Sequence, residues 1–68
     1  MKRKQFLKKL NKYARKSDIT YRWRKDEGKG SHGTVYLGAT KTVVKHGELS
    51  NDYIDVVLTQ LGIGKDVI

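Results

Sequence analysis

Cysteine and proline are both absent from the 68 residues, and acidic residues are few, seven against fifteen Lys and Arg. Without cysteine there are no disulfides and no thiolate metal sites, and nothing marks an oxidising compartment, so we expect a cytoplasmic protein. No apolar run approaches the ~20 residues that span a bilayer, and the Lys-rich start leads into no signal-peptide stretch. Because a typical domain has ~100 to 150 residues, the chain is expected to be one soluble, unprocessed domain over residues 1–68, too small for most large enzyme folds.

The positive charge is concentrated in the first third of the chain. The net charge is +8 and the sequence pI is about 9.9. Residues 1–25 hold eleven basic residues and one acid, a net +10, whereas residues 26–68 hold four basic residues and six acids, a net −2. This imbalance predicts a polyanionic partner, recruited mainly by the N-terminal part of the chain.

Two segments have the periodicity of amphipathic helices. The first is predicted over about residues 3–16, where the apolar residues on one side are Phe6, Leu7, Leu10, Tyr13 and Ala14. The pair Ser17-Asp18 interrupts it, because both side chains compete for backbone hydrogen bonds. The second is predicted over about residues 51–61, with a short tail after Gly62. Its N-cap is Ser50, and its apolar stripe is Ile54, Val57, Leu58 and Leu61.

Three strands are predicted between the helices, over about residues 19–25, 31–37 and 41–45. Alternation in the first strand puts Ile19, Tyr21 and Trp23 on one face of a sheet and Thr20, Arg22 and Arg24 on the other. In the second strand, Val35 and Leu37 share the core face, and the other face carries His32, Thr34 and Tyr36. The expected fold class is α+β: helix, three antiparallel strands, helix, a two-layer sandwich with both helices on one sheet face.

The segment Gly28-Lys29-Gly30-Ser31-His32-Gly33 matches the pattern G-x-G-x-x-G of nucleotide-binding loops. A kinase also needs catalytic and metal-binding residues from a second lobe, for which 68 residues leave no room. A dinucleotide fingerprint opens a helix, whereas this segment opens a β-branched run. We therefore interpret it as a tight turn that presents His32, formed by Gly28, Gly30, Ser31 and Gly33.

His32 is the first candidate for catalysis, because imidazole both accepts and donates protons near neutral pH. With Lys29, Arg22, Arg24 and Lys45 as phosphate contacts, it would form a minimal RNA-cleaving site: a base deprotonates a 2′-hydroxyl, and cations offset the charge that grows on phosphorus. Such a reaction needs no metal ion and no cofactor. The alternative is an exposed loop histidine without a role.

His46 is a possible second catalytic residue. It follows the third strand, and in an antiparallel hairpin that end lies on the same side of the sheet as the start of the second strand, where His32 stands. A pair of histidines can divide the acid and base roles, although His46 can equally be a strand-end residue that bonds the next turn. A metal site from both histidines and Glu48 is a further alternative.

The residues around both histidines resemble a known family. Gly30-Ser31-His32, after an amphipathic helix and a strand with Arg22 and Arg24, is similar to the signature of the HicA-type mRNA interferase toxins. His46-Gly47-Glu48-Leu49, ahead of a helix that ends in Leu61-Gly62-Ile63, is similar as well. The resemblance covers about residues 5–63 in order and length.

This resemblance implies a fold like the double-stranded-RNA-binding domain and an endoribonuclease of a toxin–antitoxin system. Such a toxin cleaves mRNA to arrest growth, and its catalytic histidine corresponds to His32. The resemblance also implies a partner, a HicB-type antitoxin that binds the toxin and covers its active site.

Two functions of other classes stay open on the sequence. The same basic surface fits a non-catalytic RNA-binding module, and the basic first helix fits an interaction protein that docks an acidic partner. A lysine-rich amphipathic helix can also lie on an anionic membrane or be only a solvated face. The membrane alternative is weakened because Phe6 and Leu7 are the only large apolar residues near the start of the helix.

Overall fold

Five elements follow one another in the computed structural model, which describes residues 1–26, 32–64 and 66. They are helix α1 (Arg3–Lys16), strands β1 (Tyr21–Arg24), β2 (Gly33–Leu37) and β3 (Thr40–Val44), and helix α2 (Asn51–Leu61). The α+β class and the bounds of both helices are as predicted. Strand β1 begins two residues later than predicted, because the Ile19 amide donates to the Ala14 carbonyl at the end of α1 (2.8 Å). Strand β3 lies one residue earlier than predicted.

The three strands form one antiparallel sheet in the order β1-β2-β3. Along the sheet, Tyr21 pairs with Leu37 and Arg24 with Thr34, while Gly33 pairs with Val44 and Leu37 with Thr40. The end of β1, the start of β2 and the end of β3 therefore lie side by side. We call this the histidine end of the sheet, defined by Arg24, Gly33 and Val44.

Both helices cover the same face of the sheet, as predicted. One buried cluster contains residues of α1 (Phe6, Leu10, Ala14), of α2 (Ile54, Val57, Leu58, Leu61) and of the sheet (Val35, Leu37, Val44). Tyr21 and Trp23 of β1 pack against this cluster and are half-buried. Burial raises the pKa of the Tyr21 phenol above its ordinary value of 10.0, because the phenolate is poorly solvated there. The opposite face of the sheet is not covered by either helix.

Both helices end in the same type of cap. Ile63 donates to the carbonyl of Leu58 (2.9 Å) and packs into the core, while Gly62 adopts the left-handed conformation with φ of 73°. At the end of α1, Asp18 has the left-handed φ of 56°, and Ile19 makes the corresponding bond to Ala14. These are Schellman motifs, in which a left-handed residue lets the chain bond back to the last turn. Helix α2 begins at the predicted cap, where the Tyr53 amide donates to the Ser50 hydroxyl (3.1 Å).

The start of α1 is fixed to the segment that follows β3. Lys2 and Glu48 form an isolated antiparallel bridge, and the Arg3 amide donates to the Gly47 carbonyl (3.0 Å). The α-amino group of Met1 lies 3.0 Å from the Glu48 carboxylate. These bonds hold the N-terminus of α1 at the histidine end of the sheet. Over the described ranges, no helix is both long enough and apolar enough to pass through a membrane.

Candidate nucleic-acid interface

His32 is exposed and immediately precedes Gly33, the first residue of β2. Because Gly33 pairs with Val44, the segment Lys45-His46 that continues from β3 leaves the sheet at the same end as His32. Arg24, at the end of β1, pairs with Thr34 two residues after His32. The antiparallel register thus gathers both histidines, Arg24 and Lys45 at the histidine end.

The uncovered face of the sheet carries cations around one aromatic ring. The register aligns Arg22, Tyr36 and Lys41 in a row across the three strands. The Lys41 ammonium lies 5.9 Å from the centroid of the Tyr36 ring, a cation–π distance. The next row toward the histidine end contains Arg24, Thr34 and Val43. We call this surface the open face, defined by Arg22, Arg24, Tyr36, Lys41 and Val43.

Lys45 lies beside the start of α2. Its ammonium is 4.8 Å from the centroid of the Tyr53 ring, and its amide donates to the Tyr53 hydroxyl (3.0 Å). The same hydroxyl donates to the Val43 carbonyl (3.4 Å). The Tyr53 hydroxyl thereby hydrogen-bonds with two backbone groups near the end of β3, which is an edge strand. The ring of Tyr53 also keeps the Lys45 side chain near the histidine end.

His46 lies on the helix side of the sheet, in a groove that sequence reasoning did not predict. The groove has a volume of about 490 Å³. Its walls are formed by Lys2, Arg3, Lys4, Leu7, Trp23, His46 and Gly47. We call it the Trp23 groove. Because Trp23 alternates with Arg22 and Arg24 along β1, the groove and the open face lie on opposite sides of the sheet and meet at its histidine end.

The Trp23 groove is cationic and has an ordered aromatic wall. The Arg3 guanidinium lies 5.0 Å from the centroid of the Trp23 ring. Three cations of the groove, Lys2, Arg3 and Lys4, stand at the start of α1, which is the positive end of the helix dipole. The first turn of α1 contains no acidic residue that would offset their charge. Like charges at this end repel one another and the dipole, and an anion in the groove would relieve that repulsion.

Gly33 joins the groove to His32. A Cβ atom at Gly33 would lie 2.4 Å from Cη2 of Trp23, too close for any real contact. The Trp23 ring therefore packs directly over the backbone of the residue that follows His32. Gly33 lies in the second strand, within the predicted range, and there it makes room for an aromatic ring, a role that the sequence did not indicate.

The outer side of α1 forms a second cationic surface. A shallow groove of about 760 Å³ runs along it, lined by Met1, Gln5, Lys8, Lys9, Asn11, Lys12 and Arg15. The described residues that line it all belong to α1 or to the two residues before it, and none of them is a histidine. This is the basic helix surface expected from the sequence.

Four predicted site residues, Gly28, Lys29, Gly30 and Ser31, lie outside the described residues.

Within the described part of the chain, no three His, Cys, Asp or Glu side chains group closely enough to hold a metal ion. The alternative of a metal site formed by both histidines and Glu48 is therefore wrong, because these three side chains do not lie together. The Glu48 carboxylate pairs instead with the α-amino group of Met1.

Two features of this interface were missed from the sequence. The alternation in β2 predicts the correct sheet face for Tyr36, but it does not predict the neighbour Lys41, because the pairing of β2 with β3 decides which cation flanks the ring. The Trp23 groove depends on the bridge between Lys2 and Glu48, which are 46 residues apart in the chain. The one feature of the sequence that could have indicated an anion-binding groove is the run of cations at the start of α1, a position where acidic residues are usually favoured.

Comparison of the chain with protein-family models, curated proteins and solved structures gives no match in any of the three. The resemblance to the HicA-type toxins therefore stays a prediction, based on the residues around the two histidines.

Proposed function

We propose that the chain is a toxin-type endoribonuclease of the cytoplasm that cleaves single-stranded regions of mRNA through His32, without a metal ion. We also propose that its fold is of the double-stranded-RNA-binding-domain type. The observation that carries the proposal is the position of His32, exposed at the end of a sheet whose open face bears Tyr36 between Arg22 and Lys41. A nuclease needs these two parts, a surface that holds the strand and a proton-transfer group beside it.

The open face supports binding of a single strand. Bases of a single strand are available for stacking on an aromatic ring, and Tyr36 offers such a ring beside the cations of neighbouring strands. Phosphates on either side of the stacked base would then lie near Arg22, Arg24 and Lys41. A duplex keeps its bases stacked inside, so it would gain only the phosphate contacts.

The proposed reaction is a transesterification within the RNA strand. One imidazole takes the proton of a 2′-hydroxyl, the 2′-oxygen bonds to the adjacent phosphorus, and the bond from phosphorus to the 5′-oxygen breaks. The leaving 5′-oxygen takes a proton from a second group, so atoms and charge balance. The products are a 2′,3′-cyclic phosphate and a 5′-hydroxyl. His32 acts as base or acid, and His46 or water takes the other role.

The cations at the histidine end, Arg24 and Lys45, would stabilise the phosphorane as its negative charge grows. Lys29 is proposed as a further phosphate contact on the basis of the sequence alone. A HicB-type antitoxin is the proposed partner, and it would inhibit the enzyme by covering this end. The positive charge of the chain supports a partner with an acidic contact surface.

The test is cleavage of a 5′-labelled single-stranded RNA by pure protein in excess EDTA. The proposal predicts fragments whose 3′ ends carry a cyclic phosphate, which blocks ligation at the 3′ end until acid opens the ring and a phosphatase removes the resulting monophosphate. The absence of fragments at protein concentrations that bind the RNA would refute the nuclease proposal. Fragments with 3′-hydroxyl ends would contradict the proposed reaction.

A second function, a non-catalytic RNA-binding module, is supported by the same open face. Stacking on Tyr36 and phosphate contacts with Arg22 and Lys41 require no catalytic group. Binding without cleavage in the assay above would favour this function.

A further inference from the structure

We infer that the Trp23 groove is a nucleotide-binding subsite, which takes one nucleotide of an RNA strand on the helix side of the sheet. This deepens the proposed function and rests on it only for the choice of RNA as the source of the nucleotide. Three observations support it: the backbone bonds that fix the walls of the groove, its positive charge, and the cation–π contact between Arg3 and Trp23.

Backbone hydrogen bonds fix the positions of the residues that form the walls of the groove. The Arg3 amide bonds to the Gly47 carbonyl (3.0 Å), and the Lys2–Glu48 bridge closes the same side. Trp23 belongs to β1, and its ring packs over Gly33. The volume of about 490 Å³ falls within the ~300 to 1,000 Å³ typical of small-ligand sites, so the groove has room for one nucleotide.

The positive charge of the groove favours an anionic ligand. Lys2, Arg3 and Lys4 all line it, and His46 adds a group that can donate hydrogen bonds to phosphate. None of the described residues that line it is acidic. A phosphate here would also lie near the positive end of the α1 dipole, so the helix adds to the attraction of the side chains.

The cation–π contact between Arg3 and Trp23 distinguishes a nucleotide from other anions. Guanidinium planes and indole rings both stack with nucleobases, and the Arg3 guanidinium lies 5.0 Å from the centroid of the Trp23 ring, so the groove offers a base a guanidinium plane beside an indole. An acidic peptide would use the cations of the groove but would gain nothing from this plane. Inorganic phosphate would gain nothing from it either.

The groove also lies next to the proposed catalytic residue in the fold. Trp23 packs on Gly33, whose preceding residue is His32. A strand with one nucleotide in the groove therefore reaches the histidine end directly, and the next nucleotides can continue onto the open face around Tyr36.

Fluorescence measures occupancy of the groove, because Trp23 is the only tryptophan in the sequence. The probes are a 2′-O-methyl oligoribonucleotide, which cannot be cleaved, adenosine monophosphate, adenosine, inorganic phosphate and a glutamate-rich peptide. We expect saturable quenching by the oligonucleotide and weaker saturable quenching by the monophosphate. Adenosine and phosphate should each bind at least tenfold more weakly than the monophosphate.

Matched variants identify the site. Lys4→Gln should weaken oligonucleotide binding roughly fivefold, whereas Lys16→Gln, at the far end of α1, removes the same charge and should change it much less. Arg3→Lys keeps the charge but loses the plane, so it should weaken monophosphate binding more than phosphate binding. Circular dichroism and thermal unfolding establish that each variant is folded.

Several outcomes would overturn the inference. They are the absence of saturable quenching, equal effects of Lys4→Gln and Lys16→Gln, and equal affinity for phosphate and monophosphate. Quenching by the glutamate-rich peptide as strong as by the oligonucleotide would assign the groove to an acidic protein instead. RNA cleavage with an empty groove would leave the nuclease proposal intact, while an occupied groove without cleavage would leave the inference intact and favour the binding module.

Discussion

Gly33 is required for space rather than for backbone conformation. The Trp23 ring occupies the position of a side chain at residue 33, and two atoms of its six-membered ring would lie within 2.6 Å of an added Cβ. Gly33→Ala should therefore lower the free energy of unfolding by about 1 to 3 kcal/mol, the usual cost of overpacking. Urea unfolding followed by circular dichroism measures this.

The cause can be separated by a double-mutant cycle with Trp23→Phe, because phenylalanine lacks the two clashing atoms. In that background, Gly33→Ala should cost less than in the parent protein, with a coupling energy of about 1 kcal/mol or more. An equal cost in both backgrounds would show that residue 33 is restricted by something other than the Trp23 ring.

We expect Tyr36 to contribute most to the proposed binding of RNA by the open face. Tyr36→Ala should weaken binding of a non-cleavable single-stranded RNA by about 1 to 3 kcal/mol, the range for loss of one stacked base, whereas Tyr36→Phe should retain most of the affinity. Fluorescence anisotropy of a labelled strand gives the dissociation constants.

Val43→Ala is the control on the same face, because Val43 is 46% exposed and offers no ring and no charge. If Tyr36→Ala weakens binding no more than Val43→Ala does, the RNA does not stack on the open face.

At the scale of elements, the two helix caps differ in one residue type. Helix α2 places Gly62 in the left-handed conformation, which glycine adopts without strain, but α1 places Asp18 there, with φ of 56°. Asp18 also brings a negative charge to the negative end of the α1 dipole. Asp18→Gly should therefore stabilise the protein by about 0.5 to 1 kcal/mol, measured by urea unfolding.

Asp18→Ala separates the two causes, because it removes the charge but keeps a Cβ. We expect it to be less stable than Asp18→Gly. Equal stability of the two variants would mean that the charge alone, and not the left-handed conformation, accounts for the effect.

The helices could be predicted from the sequence because their signals are local. Apolar spacing, the Ser50 cap and the Gly62 stop all act within a few residues, and α1 and α2 have the predicted bounds. The alternation of Arg22 and Trp23 across β1 was also sufficient to assign the two sheet faces. The start of β1 was predicted two residues early, because alternation alone does not reveal that Ile19 bonds to the helix end.

The Trp23 groove could not be predicted in the same way. It exists because the start of α1 bonds to Gly47 and Glu48, and no local pattern records a contact across more than forty residues. The candidate site was therefore predicted only in part. Both histidines were named from the sequence, but the division between an open face and a helix-side groove follows from sheet pairing and the position of α1.

Across the whole molecule, the described cations lie mainly on the outer side of α1, in the Trp23 groove and on the open face. RNA held by the open face and the histidine end should show a dissociation constant that rises with salt. For about four or five phosphate contacts the slope of log affinity against log salt concentration is about −3. Arg22→Gln should make this slope shallower by about 0.7, while Lys9→Gln on the outer side of α1 should change it less. The reverse result would assign RNA binding to α1.

The proposed role of His32 in moving a proton during RNA cleavage is best examined by a single-turnover measurement of the cleavage rate. The RNA is first shown to bind equally well to the parent protein and to His32→Gln, with Lys16→Gln as a surface control. We expect His32→Gln to lower the cleavage rate about 100-fold to 10,000-fold at saturating protein, whereas Lys16→Gln should cleave like the parent. Cleavage by His32→Gln at the parental rate would show that His32 does not transfer the proton.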